Sequence, residues 1–174
     1  MLARSEPGWR SSSHSSTSAR SRNGGVSLVH FRGTFDHTLD AKNRLTMPAR
    51  YRSALAGGIV LAVPVDQEPC IGVWRPQEYE EYTRRAIEAM PTLSPRRAAL
   101  ERFFNAYSHD AELDAAGRVM VPAFLGEKAK LQKEIVILGV GERLELWGKE
   151  LWSEHQAALV SAIADITANV DDTA

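Results

Sequence analysis

The 174-residue chain has one cysteine, so no internal disulfide can form. Cys70 sits among apolar neighbours in PCIGVW and reads as a core residue of a protein kept in a reducing compartment. No apolar run approaches the ~20 residues that a membrane helix needs, so no membrane partner is expected. G-x-G-x-x-G and P-loop glycine patterns are absent. The histidines, at positions 14, 30, 37, 109 and 155, show no metal-ligand spacing with one another or with Cys70. Neither D-T-G nor D-S-G occurs, which argues against an aspartic protease, and without a Gly-Ser pair self-cleavage at such a bond is excluded. No cofactor, metal or enzymatic activity is therefore expected. Charge of one sign is lacking too: the net of -1 neither points to nucleic acid nor excludes it, because binding needs a local basic face.

Residues 1–27 have almost no large apolar side chains. Nine are Ser and four are Arg, a composition that cannot bury enough surface to offset ordering entropy. The apolar core of a secretory signal is missing as well. Disorder is expected over residues 1–30, and the same composition is also that of an organellar transit peptide. Hydrophobic content of 44% and charged content of 25% for the whole chain suffice for a globular core beyond it.

What the chain does contain is a repeated string. LDAKNRLTMPAR (39–50) returns as LDAAGRVMVPAF (113–124), identical at six of twelve positions and displaced by 74. Around each copy lies the same order of predicted elements. FRGTFDHTL reads as β-forming, RLTMP as a short strand stopped by Pro48, and PARYRSAL as a helix ending at Gly57–Gly58. IVLAVPV and CIGVWR form a hairpin, and a helix covers 76–90. A connecting helix from Pro95 to about Tyr107 carries Leu100, Phe103, Phe104 and Tyr107 as one apolar stripe. The second copy then runs through RVMVP, AFLGEKAKL, EIVILGV and RLELW to a helix starting near Gly148. Trp74 and Tyr79 correspond to Trp147 and Trp152. This is an internal duplication. Each copy is too small to stand alone, so the strands are expected to interleave into one small β-barrel-like core with the helices outside and Trp74 and Trp147 over its ends. The chain divides into an extension (1–30), a first repeat (31–90), a connecting helix (91–107), a second repeat (108–166) and a disordered tail (167–174). The fold class is α+β.

The shared string is D-x-x-x-R. The residue before the Arg is Asn43 in one copy and Gly117 in the other, the two types that most readily take positive φ. Asp40 and Asp114 are placed to accept hydrogen bonds from N–H groups two residues on, which stiffens each turn. Each Arg can either pair with its own Asp or contact a ligand. For Arg118 the two readings stand level; for Arg44 the neighbourhood favours contact. Residues 28–60 carry Arg32, Lys42, Arg44, Arg50 and Arg52 against Asp36 and Asp40, a net of +3. Residues 108–131 carry three basic and four acidic residues, a net of -1. A stiff tip of Lys42, Asn43 and Arg44 suits a DNA groove: Arg for guanine, Asn for adenine, Lys for phosphate. Arg32, Arg50 and Arg52 complete the expected DNA-binding set, with Asp40, Asp114, Gly117 and Arg118 structuring the turns.

On FRGTFDHTLDAKNRLTMPARYR, the second LDAAGRVMVPA and their spacing, residues 31–166 resemble the MraZ family of bacterial transcriptional regulators, relatives of AbrB-type swapped-hairpin proteins. The resemblance implies two AbrB-like (SpoVT-AbrB) halves in one chain and a homo-oligomeric ring. It implies binding of double-stranded DNA at direct repeats in the promoter of the division and cell-wall gene cluster, mainly as a repressor. The implied location is the cytoplasm, at the nucleoid, and the first D-x-x-x-R arginine, here Arg44, is the DNA contact. Relatives begin close to the FRGTF string, so Val26 or Val29 is a candidate start. The competing expectation is a ring-forming protein-interaction scaffold without specific DNA binding.

Overall fold

The computed structural model describes residues 30–171, so the expectation for the extension lies almost wholly outside the described residues. The strands β1 (Phe31–Thr38) and β2 (Arg44–Thr46), the helix α1 (Ala49–Arg52), the hairpin β3 (Ile59–Ala62) and β4 (Cys70–Trp74), and the helix α2 (Pro76–Glu88) form the first repeat. Helix α3 (Pro95–Ala106) connects it to β5 (Ser108–Ala111), β6 (Arg118–Met120), α4 (Ala123–Lys128), β7 (Glu134–Gly141), β8 (Leu144–Gly148) and α5 (Lys149–Asp171). The second series repeats the first, element for element.

Two helices are shorter than their periodicity predicts. α1 stops after four residues and gives way to turns, closed by Gly58 at φ 113°. α4 stops because Lys130 turns left-handed (φ 51°) and Leu131 N–H reaches back to the Gly126 carbonyl at 2.8 Å, a Schellman closure. α5 runs on to Asp171, past the boundary expected at 166.

Six strands form one antiparallel sheet in the order β1-β7-β8-β4-β3-β5. The order is palindromic in the repeats. Each repeat keeps its own hairpin (β3–β4 and β7–β8), the two hairpins meet at β4–β8, and each first strand is exchanged: β1 pairs with β7 and β5 pairs with β3. β2 and β6 pair only with each other as a separate two-stranded ribbon. The expected barrel-like core does not close into a barrel. No ladder joins β1 to β5, because the three-residue β2 and β6 are spent on each other.

Alternation decides the layers. Ile59, Leu61, Ile71, Val73, Ile135, Ile137, Leu144 and Leu146 point to one side, where they meet Leu45, Met47, Val119 and Val121 of the ribbon, Tyr51 and Leu55 on and after α1, and Leu125 of α4. The alternate positions point to the other side. There Val60, Ala62 and Trp74 meet Tyr79 and Tyr82 of α2, while Cys70, Val136, Leu138 and Trp147 meet Trp152 of α5. The central strands are thus buried on both faces, which is why IVLA and CIGVW read as unbroken apolar runs. Trp74 and Trp147 do not cap a barrel. They seat the two closing helices, Trp74 stacking on Tyr82 with centroids 4.8 Å apart and Trp147 lying 5.6 Å from Trp152. Of the stripe on α3 only Phe104 is fully buried, against Tyr79 and Tyr82. Burial pushes the Cys70 thiol pKa up, in keeping with a core residue.

Candidate nucleic-acid interface

Both repeated turns fold alike. Asp40 Oδ1 accepts from the N–H of Lys42 (2.8 Å) and of Arg44 (3.0 Å), and Asn43 sits at φ 54°. Asp114 Oδ1 accepts from Ala116 and Arg118 N–H, both at 2.9 Å, with Gly117 at φ 75°. The left-handed position expected before each Arg is therefore present, as is the aspartate brace. The turns also lock each other. Met47 N–H donates to the Gly117 carbonyl (2.9 Å) and Val121 N–H to the Asn43 carbonyl (2.8 Å), so each turn is pinned by the outgoing strand of the other repeat.

Arg44 makes the pairing with Asp40 that the sequence weighed beside ligand contact. It pairs with its own aspartate as fully as Arg118 does: Arg44 Nε and Nη2 each lie 2.7 Å from Asp40 Oδ2, and Arg118 Nε and Nη2 lie 2.8 and 2.7 Å from Asp114 Oδ2. A surplus of basic neighbours does not release Arg44, because Asp40 is only four residues away on a turn that aims both groups at one point. The Arg44 hydrogen bonds hold the Asp40 carboxyl well below its ordinary range, at about 2. Arg44 is still not buried, with 31% of its side chain exposed, and among the described residues Nη1 and one N–H of Nη2 remain for a ligand.

Register in the ribbon sets the face. Arg44 pairs with Met120, Leu45 with Val119 and Thr46 with Arg118. Leu45 and Val119 are fully buried, so Arg44, Thr46, Arg118 and Met120 share the outer face. Asp40 of the first turn contributes to raising the Arg118 pKa, after Asp114, which places the turns within electrostatic reach. Sequence reasoning left Arg118 level between structuring its turn and contacting a ligand, and missed Thr46 and Met120. The available signal was the repeat itself, because two short corresponding strands related by a pseudo-dyad pair naturally with each other.

The remaining predicted residues divide. Lys42 and Asn43 stand exposed at the tip beside Arg44. Arg50 lies on α1 with its guanidinium 5.3 Å from the Tyr51 ring centroid. Arg32 is at the far end of β1, six residues from Thr38 and on the order of 20 Å along the strand; its backbone is held by the Tyr51 hydroxyl. Arg52 is committed elsewhere: its Nε donates to the Met47 carbonyl at 2.9 Å and its side chain lies over Gly117. It is a packing residue of the second turn and not part of the tip.

These features define an internally duplicated, strand-exchanged α+β protein that presents two interlocked arginine turns on one ribbon. The profile of the MraZ protein family matches residues 30–103 and again 102–172, and the chain belongs to that family. Among its relatives, the transcriptional regulator MraZ of Thermoanaerobacter sp. (strain X514) is 33% identical over 140 residues, covering 80% of this chain and 96% of that one. The protein of the same name from Lactiplantibacillus plantarum is 37% identical over 142 residues, 82% of this chain and 99% of the relative. That of Thiobacillus denitrificans is 37% identical over 135 residues, 75% and 89% of the two chains. Among the described residues no helix is long and apolar enough to cross a membrane.

Proposed function

We propose that the chain is a sequence-specific DNA-binding transcriptional regulator that docks the β2–β6 ribbon on duplex DNA. The observation that carries this reading is the shared outer face of the ribbon, on which Arg44 and Arg118 emerge from rigid turns beside Lys42 and Asn43. A two-stranded ribbon fits the major groove, about 12 Å wide, and preset arginines lose little entropy on reaching guanine. In this assignment Arg44 and Asn43 read bases, Arg118 supports the same face, and Lys42, Arg50 and Arg32 meet phosphates. Asp40, Asp114, Gly117 and Arg52 hold the turns in shape. The relatives' name, transcriptional regulator, supports the role. Repression of the division and cell-wall cluster at promoter direct repeats, a homo-oligomeric ring and nucleoid association complete the proposal.

A gel shift with the region upstream of the chain's own gene tests it. Wild type binds specifically and Arg44→Ala loses the specific complex; unchanged binding by the variant moves the site elsewhere. The second reading, a scaffold that recruits protein through its helices, is favoured by Leu159 and Val160, 45% and 64% exposed on α5. It predicts no specific shift for either form.

A further inference from the structure

The two turns are pseudo-symmetric, yet their surroundings differ at one place. Beside the second turn, Arg52 of α1 fills the space over Gly117, which is buried although it lies at the tip of a turn. The displacement of 74 carries Arg52 onto Gly126 and Gly117 onto Asn43. Beside the first turn the arginine is therefore replaced by a glycine, and a Cβ added to Gly126 would meet nothing within 4 Å. Asn43 is left exposed, and an open groove runs from it past Gly126 to the loop at 130–133.

We infer that this groove takes a backbone phosphate of the bound duplex, held by Lys130 and Lys133 of the second repeat next to the Lys42–Asn43–Arg44 tip of the first. The inference rests on the DNA-binding reading above and deepens it. Three observations support it. First, the loop is fixed: Lys130 is the left-handed closing residue of α4, and the Lys133 carbonyl accepts from Leu39 N–H at 2.9 Å, immediately before the first turn. Both lysines are exposed, and among the described residues neither has a carboxylate at ion-pair distance. Second, the lysines are placed on one side only. In the first repeat the loop before Ile59 of β3, the counterpart of Ile135 of β7, is two residues shorter and has no lysine, so the groove beside the second turn has only Arg52, which is bonded to the Met47 carbonyl, against Glu112 and Asp114. Third, the local balance favours an anion. Of the carboxylates lining the groove, Asp40 is already paired with Arg44, which leaves Glu127 against Lys130 and Lys133. A major-groove reader is flanked by phosphates, and a lysine needs only proximity to neutralise one.

The test uses the full-length protein and a labelled duplex of its own upstream region, titrated over a series of KCl concentrations, with a scrambled duplex in parallel. Lys130→Gln/Lys133→Gln is expected to flatten the slope of log K against log salt by about 0.9, the loss of one phosphate contact. Affinity for the upstream and scrambled duplexes should fall by the same factor. Lys128→Gln is the charge control, because the Lys128 ammonium lies 5.1 Å from the Tyr107 ring centroid and does not line the groove. It should leave the slope in place. Arg44→Ala should instead abolish the preference for the upstream duplex. An unchanged slope in the double lysine variant, with Arg44→Ala still losing preference, overturns the groove and spares the DNA-binding reading. An equal loss of slope in Lys128→Gln overturns it too, as general charge. Wild type that binds neither duplex removes both.

Discussion

Gly139 of β7 lies against the backbone of Arg32 on β1 so closely that a Cβ at position 139 would stand well inside van der Waals contact of it. That contact is made where the exchanged first strand joins the second repeat. Gly139→Ala must therefore push backbone against backbone, which no rotamer change relieves. The expected cost is about 1–3 kcal/mol by analogy with overpacked cores, read as a lower melting temperature and faster amide exchange along β1. A wild-type melt would show that the strand has room to move.

Gly117 is held differently, by a side chain. Gly117→Ala meets both the positive φ and the Arg52 side chain. Arg52→Gly in the same chain should recover the second part of the loss and leave the first, about 1–2 kcal/mol. A double-mutant cycle in thermal melts is expected to give a coupling of roughly 0.5–3 kcal/mol. Strict additivity would mean that the two residues do not meet in solution.

Acid should loosen the first turn. The folded-state pKa of Asp40 is depressed to about 2 from an ordinary 3.8, chiefly by Arg44. Its contribution is complete above the unfolded value and is lost as pH falls from about 4 towards 2. Thermal melts between pH 5 and pH 2.5 should show a smaller drop for Asp40→Asn than for wild type. Asp114→Asn should behave similarly, since Arg118 lowers that pKa as well.

Leu45 and Arg44 are adjacent but face opposite ways, which lets fold and recognition be separated. Leu45 is fully buried between ribbon and sheet, so Leu45→Ala should cost about 2–5 kcal/mol and lower the melting temperature markedly. Arg44→Ala should melt near wild type and lose DNA. A large thermal shift in Arg44→Ala would make it a folding residue instead.

If several ribbons act together in one ring, binding should fall sharply when the DNA repeats are cut from several to one, because linked sites raise effective concentration without new contacts. Titrations on duplexes of one, two and three repeats measure this. Equal affinity for one and three would remove multivalency from the proposal.

Much of the local design was legible in the residues. The pairing of Asn43 with Gly117 located the left-handed positions, and the aspartates located the braces, because both depend only on near neighbours. Interleaving of the two copies was legible, but which strand is exchanged onto which was not. β1 and β5 carry no label for their partner, and the choice of β7 and β3 is made by the packing of the whole sheet. That the barrel-like core stays open was hidden for a related reason: three-residue strands give too short an alternation to reveal that β2 and β6 leave the sheet. Counting charges did not reveal the Arg44–Asp40 pair, since a sum over residues does not show that a guanidinium already has a partner. Lys133 escaped attention because that sum ended at Leu131.

Because β1 completes the second hairpin and β5 the first, neither half owns a finished sheet. Covalent fusion supplies each with the other in the same chain. Under that arrangement a change in one half has to suit only its counterpart. Arginine over glycine on one side and glycine under asparagine on the other is an inequality that two identical subunits could not have held.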